Sequence, residues 1–280
     1  MFAEDIPIWT KKHVQSTLPK RGFASHKGTY GTGLLFAGSP EMPGAALLAG
    51  LGAMRSGIGK LVIATSESVI PMIVPSLPEA TYLRNGLEKL AEEGIEEDYR
   101  AVAIGPGIPP SQTVECAVEQ ILDKQIPAVF DAGALSIRTY PAREAPIILT
   151  PHPGEISRMT NTSIPEVQKK RGFVAKEQAR TLGVTIVLKG KQTVIAFPDG
   201  ECWINQTGNS ALAKGGTGDT LTGILLGMLC CHENWKEAVL NAVHLHGACA
   251  DQWSETRSPH TLLAHEISSL LPFVWKTYEV

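Results

Sequence analysis

The chain has 280 residues, a formal net charge of -3 and 43% hydrophobic residues, enough for a sizeable core and without the cationic excess of a nucleic-acid surface. Five cysteines, an odd number with no Cys-x-x-Cys pair, argue against a disulfide framework and fit a reducing cytoplasm. No apolar run nears the ~20 residues of a membrane span, and Met1 to Asp5 carries acids where a secretory leader needs bases. A soluble protein with a small-molecule partner, and no nucleic acid or membrane, is expected.

In chain order, residues 1–28 are rich in Lys, Pro and Ser and read as an irregular lead-in that wraps the first strand. Near-continuous Val, Ile and Leu runs then predict strands over 34–36, 61–64, 101–104, 128–130, 147–149 and 185–188, the pattern of a parallel sheet covered on both faces. Helical stretches over 44–56, 111–124, 165–182, 218–231 and 235–252 alternate with them as βαβ units. Residues 193–197 and 201–204, joined by Pro198-Asp199-Gly200, predict a late β-hairpin. No repeat or linker divides the chain, so one α/β domain over 1–280 is expected.

Small residues gather at the predicted strand ends, where ligands bind open α/β sheets. Gly38-Ser39-Pro40 leads into a helix through Gly44-Ala45-Ala46, and is either an ordinary loop or a place where a ligand ring meets bare backbone. Gly105-Pro106-Gly107 is a rigid corner or a binding turn, with Asp131-Ala132-Gly133 at the next strand end. Thr150-Pro151-His152-Pro153-Gly154-Glu155 locks one imidazole and one carboxylate between prolines; Glu155 as a first-turn acid and His152 as a surface residue is the plain alternative. Lys189-Gly190-Lys191-Gln192-Thr193 lies between two strands, where its amides, lysines and hydroxyl suit a nucleotide as well as solvent.

The densest signal is Lys214-Gly215-Gly216-Thr217-Gly218-Asp219, which opens an apolar helix. Bare glycine amides added to a helix N-terminus make an anion hole. Asp219 repels a phosphate unless it has another task, and the natural one is to accept the proton of a hydroxyl being phosphorylated. Helix capping is the bland alternative. Neither GxGxxG nor GxxxxGK[ST] is complete, His244 and His246 are two apart on a helix, and Cys230-Cys231-His232 lacks zinc spacing, so no all-protein metal site is expected.

Together these motifs, with Ser25-His26-Lys27-Gly28, Asn209 and Leu245-His246-Gly247, resemble in order and spacing the ADP/ATP-dependent NAD(P)H-hydrate dehydratases of the ribokinase-like superfamily. Such relatives often read Asp-Ala-Asp-Ala-Leu where this chain has Gly133 in third place. The resemblance implies a three-layer ribokinase-like fold and repair of NADHX and NADPHX. Phosphorylation of the C6 hydroxyl by ADP or ATP with Mg²⁺ is followed by loss of phosphate, with AMP as the product from ADP.

By the same resemblance Asp219 is the catalytic base; Ala45 or Ala46, Gly105, Gly107, His152 and Asp219 meet the hydrate. Lys189, Gly190, Lys191, Gln192, Thr193, Asn209, Gly216, Thr217 and Gly218 hold the nucleotide. It also implies a cytoplasmic homotetramer that depends on an epimerase from another protein. The rival readings are a ribokinase-like vitamin or hydroxymethylpyrimidine kinase, which releases a stable phosphate ester, and a catalytically silent nucleotide-binding scaffold.

Overall fold

The computed structural model describes residues 6–95 and 98–279; the acidic Met1 to Asp5 stretch read above lies outside the described residues. One sheet takes ten strands: β1 (Ile8–Trp9), β2 (Thr32–Phe36), β3 (Lys60–Thr65), β4 (Thr81–Arg84), β5 (Ala101–Ile104), β6 (Ala128–Phe130), β7 (Ile147–Leu149), β8 (Thr185–Leu188), β9 (Val194–Ala196) and β10 (Cys202–Asn205). Their spatial order is β1-β10-β9-β8-β7-β6-β5-β2-β3-β4. All pairs are parallel except those of β9, which runs antiparallel to β8 and β10.

The helices are α1 (Lys11–Thr17), α2 (Pro43–Arg55), α3 (Ile70–Ile73), α4 (Gly86–Glu93), α5 (Gln112–Leu122), α6 (Pro153–Thr160), α7 (Ile164–Lys169), α8 (Arg171–Leu182), α9 (Thr217–Cys231), α10 (Trp235–Ser254) and α11 (Ala264–Lys276). They lie on both faces because neighbouring strand residues point oppositely. Leu35, Ile63, Ala103 and Val129 pack with α2, α9, α10 and α11, whereas Leu34, Val62, Ile104 and Phe130 pack with α4, α5 and α8. Each of the larger of these side chains contributes ~1.5–3 kcal/mol when fully buried, so central strands need apolar residues at every position. That is the three-layer α/β arrangement expected from the strand pattern.

The lead-in is where expectation fails. Ile8 and Trp9 pair with Ile204 and Asn205 of β10, the last strand, and α1 packs on α10. Trp9 anchors this segment: its indole Nε1 donates to Asn241 Oδ1 at 3.0 Å and its ring stacks on His13 at 4.7 Å. A two-residue strand with a distant partner leaves no periodic trace. The expected helix over 165–182 is two, parted at Lys170 (φ -128°, ψ 36°) without a proline to announce the break. Strand β4 escaped notice because it is an exposed edge strand, Thr-Tyr-Leu-Arg, of mixed polarity.

Helices α2 and α9 run parallel with their backbones touching. A Cβ on Gly223 would collide with the Ala49 carbonyl oxygen, and one on Gly227 would lie 2.6 Å from that of Ala53. From the other side, a Cβ on Gly52 of α2 would lie 2.5 Å from the Thr220 carbonyl oxygen of α9.

Candidate active site

The carboxyl ends of β2, β3, β5, β6, β7 and β8 share one edge of the sheet, and there the motif residues converge. Strand order reverses between β2 and β5, since β2 leads to β3 on one side while β5 flanks it on the other. Such a switch point opens a crevice, and this one lies between the Gly38 turn and the Gly105–Gly107 corner. Gly38 N donates to Pro106 O at 2.8 Å, tying the two loops together. A Cβ on Gly105 would strike the Asp131 carbonyl, and one on Gly107 would meet Ala45. Of the two alanines, Ala46 is fully buried beneath Gly38, which leaves Ala45 on the crevice side.

Gly216, with φ at 88°, turns the chain into α9, a conformation that strains any side-chain-bearing residue. The Thr217 hydroxyl donates to Leu212 O and Lys214 O at 2.9 and 3.0 Å, and the buried His246 holds the same turn from behind, its Nε2 2.9 Å from Thr217 O. A carbonyl only accepts, so Nε2 carries the proton; burial pushes the His246 pKa down to about 4, keeping the ring neutral. The first-turn amides of Thr217, Gly218 and Asp219 are thus presented by a braced helix end, with the positive pole of its dipole behind them.

Asp219 sits in that first turn and, among the described residues, accepts no hydrogen bond, so it does not cap the helix. Burial, and then the charge of Asp131, push its pKa up to about 6, against a smaller opposing pull from Lys189. Asp131, at the end of β6, is the opposite case. Burial alone would raise it, but the Lys189 ammonium, 2.7 Å from Oδ1, and the Thr222 and Thr150 hydroxyls hold it below the ordinary carboxylate value. Thr222 donates to Oδ2 at 2.7 Å. Thr222 lies one helical turn beyond Asp219, so the two face the same way.

Lys189 parts company with its loop. Its backbone starts the 189–193 turn, but its ammonium reaches under α9 to Asp131, with Glu155 at 4.0 Å. Gly190 to Thr193 remain outside between β8 and β9, closed by the Thr193 hydroxyl on Gly190 O at 3.0 Å and by Gln192 in the left-handed region, φ 55°. His152 caps α6: Nδ1 accepts from the amides of Gly154 and Glu155 at 3.0 and 3.2 Å, while Glu155 Oε2 accepts from His152 N at 2.7 Å. This reciprocal cap leaves the imidazole half exposed, so the plain reading of Glu155 as a first-turn acid holds. The Asn209 amide is used internally, donating to Ala250 O and Asp251 and accepting from Ala211 N, and it anchors the segment before the glycine turn. Lys191 is exposed on the loop.

Sequence reading missed Thr222 and Glu155 as neighbours of Lys189 and Asp131; the turn-spaced Asp219 and Thr222 were the available signal. Gly133 is pressed on the Ile108 carbonyl, where a Cβ would clash.

A mainly parallel sheet between two helix layers, with a glycine turn feeding a helix that carries one unpaired carboxylate, defines a ribokinase-like α/β protein. A ribokinase-like superfamily protein of Enterococcus faecalis V583 superposes on it with a TM-score of 0.85 at 27% identity, covering 100% of this chain and 98% of that one. The family model for NAD(P)H-hydrate dehydratase matches residues 33–272, and the chain belongs to that family.

It is 66% identical over 275 residues to the ADP-dependent (S)-NAD(P)H-hydrate dehydratase of Bacillus subtilis, covering 98% of this chain and all of that one. The crystal structure of the Bacillus subtilis ADP/ATP-dependent enzyme, co-crystallised with ATP and Mg²⁺, aligns with a TM-score of 0.98 and 66% identity over 99% of this chain and 100% of that one. A bifunctional NAD(P)H-hydrate repair enzyme of Moorella thermoacetica is 35% identical over 97% of this chain but only 54% of its own length.

Proposed function

We propose that this chain is an ADP-dependent (S)-NAD(P)H-hydrate dehydratase in which Asp219 starts the reaction. The observation that carries this reading is an unbonded, half-buried carboxylate with a pKa near 6 in the first turn of a glycine-led helix. A helix cap or a structural ion pair has no need of such a group; a base for a hydroxyl does. The C6 hydroxyl of the hydrated nicotinamide gives its proton to Asp219 as its oxygen attacks the terminal phosphoryl of ADP, forming the C6–O–P link and releasing AMP. Amides of Gly216, Thr217 and Gly218 steady the charge on the phosphoryl oxygens. The ring nitrogen then expels phosphate from C6, and loss of a proton from C5 restores the dihydronicotinamide.

In this reading the Gly105–Gly107 corner, Ala45 and His152 border the hydrate ring, and Gly190 to Thr193 border the nucleotide. Lys189 serves differently from its loop: paired with Asp131, it sets the field around Asp219. Magnesium enters with the nucleotide, as in the Bacillus enzyme crystallised with ATP and Mg²⁺. Among the described residues no group of three or more His, Cys, Asp or Glu side chains could hold a metal ion; the 216–218 amides would hold the phosphates that carry it. When bound it neutralises charge on those oxygens.

The finer points belong to the same proposal. ADP is the donor in this reading, supported by the name of the Bacillus relative, an ADP-dependent dehydratase. The chain is a single dehydratase domain, supported by one sheet running from Ile8 to Asn205. A functional link to epimerisation is supported by the match of this chain to about half of a bifunctional repair enzyme. The assembly is a homotetramer in the cytoplasm, as the family resemblance implies; light scattering on the purified protein checks the former.

Incubation with NADHX and ADP tests the reaction. Recovery of absorbance at 340 nm with release of AMP and phosphate is expected. A stable phosphate ester formed on a vitamin instead, with no recovery, would establish the kinase reading.

A further inference from the structure

Next to the Gly107 corner lies a second cavity of about 230 Å³, bordered by Gly38, Ser39, Thr65 and Ile108 on its inner side and by the exposed Glu41 and Glu88 on its outer side. It adjoins the crevice: its lining residue Ile108 follows Gly107, and Gly38, which lines it too, lies against Gly107, whose Cβ would come within 3.3 Å of the Gly38 Cα. Clefts that enclose a whole drug-sized ligand measure ~300–1,000 Å³, so this one has room for one end of a dinucleotide. The buried hydroxyls of Ser39 and Thr65 have no hydrogen-bond partner. Buried hydroxyls left single in a folded protein call for a partner supplied from outside.

The charge of the lining is one-sided. It holds two carboxylates and no Lys, Arg or His, and Arg84 at the end of β4 stays outside, 3.3 Å from Glu67. Carboxylates beside a nucleotide pocket accept hydrogen bonds from ribose hydroxyls and repel a phosphate in the same place.

We propose that this cavity takes the adenosine-side ribose of the dinucleotide hydrate, and that Glu41 and Glu88 make the enzyme prefer NADHX, with its free 2′-hydroxyl, over the 2′-phosphorylated NADPHX. The inference rests on the dehydratase reading and adds the substrate form that the site selects. A 2′-phosphate brings up to two further negative charges to a pocket with no cation to meet them. Discrimination falls on KM, since the ribose is remote from C6.

The test is kcat/KM for each hydrate, measured at 340 nm with saturating ADP on the full chain and on its variants. The wild type is expected to favour NADHX about tenfold or more, the size of a like-charge contact in a partly screened cleft. Glu41→Gln and Glu88→Gln each reduce the ratio, and the double variant Glu41→Gln with Glu88→Arg brings it to unity or reverses it. A ratio between two substrates of one preparation is indifferent to the folded fraction. Equal or NADPHX-favouring kcat/KM in the wild type, or a ratio unmoved in all three variants, overturns this subsite and leaves the dehydratase reading intact. Failure of both hydrates to regain absorbance overturns both.

Discussion

Asp219 and Asp131 are two neighbouring carboxylates with opposite environments, and that contrast separates their roles. Asp131 is bonded by Lys189 and Thr222, whereas Asp219, among the described residues, accepts no hydrogen bond. Asp219→Asn should lower kcat roughly 10²–10⁴-fold while calorimetric ADP affinity stays near wild type; an unchanged kcat removes Asp219 from the mechanism. Because the base must be ionised, wild-type kcat/KM should rise with pH through about 6 and level off above it.

Stability carries the opposite sign. The folded pKa is raised from 3.8 to about 6, so the unfolded chain ionises first and the native state loses stability as pH climbs between those values. Asp219→Asn should therefore stabilise the fold by at most about 3 kcal/mol above pH 6, from ~1.4 kcal/mol per pH unit, with no gain below pH 4. Melting curves at pH 4 and 7.5 check this. Lys189→Met strands a buried carboxylate and should cost about 3–5 kcal/mol, much of it regained with Asp131→Asn in the same chain, as chemical denaturation would read. Asp219 was legible in the sequence because its glycine neighbours are local. The partner of Lys189 was not, since β6 and β8 meet only in the sheet.

The α2–α9 pair positions the crevice. Its glycines are packing surfaces, since a Cβ on Gly52, Gly223 or Gly227 would press on the backbone of the facing helix. Gly223→Ala drives a methyl into the Ala49 carbonyl, and overpacking of this kind costs ~1–3 kcal/mol or more. We expect a lower Tm together with a reduced kcat, since the helices separate where the substrate sits; a Tm at the wild-type value would mean that they do not touch. Central strands were legible because burial on both faces demands unbroken apolar runs. The break at Lys170 and the edge strand β4 were not, because neither breaks or extends a hydrophobic period. Glu155 as a first-turn acid was the plain alternative in the sequence, on the helix dipole, but its reciprocal cap with His152 was not legible there.

At the scale of the whole molecule, the sheet is closed at one edge by the lead-in. Trp9 packs against Trp203, 5.1 Å between rings, and bonds Asn241, so it joins β10 to α10. Trp9→Ala should destabilise by about 3–5 kcal/mol, seen as a lower urea midpoint, while ADP affinity holds because the site lies further along the sheet. A midpoint equal to wild type would make β1 an ornament of the edge. The sequence by itself determined the α/β class, the inner strands, the glycine-led helix and the carboxylate on it, because hydrophobic period and glycine turns are local in the chain. Only the tertiary structure decided that Lys189 pairs with Asp131, that Gly107 lies against Ala45 while Ala46 lies beneath Gly38, and that two carboxylates line the cavity beside Ile108. Each of these depends on which strand ends become neighbours, and strand order is settled by packing between segments far apart in sequence.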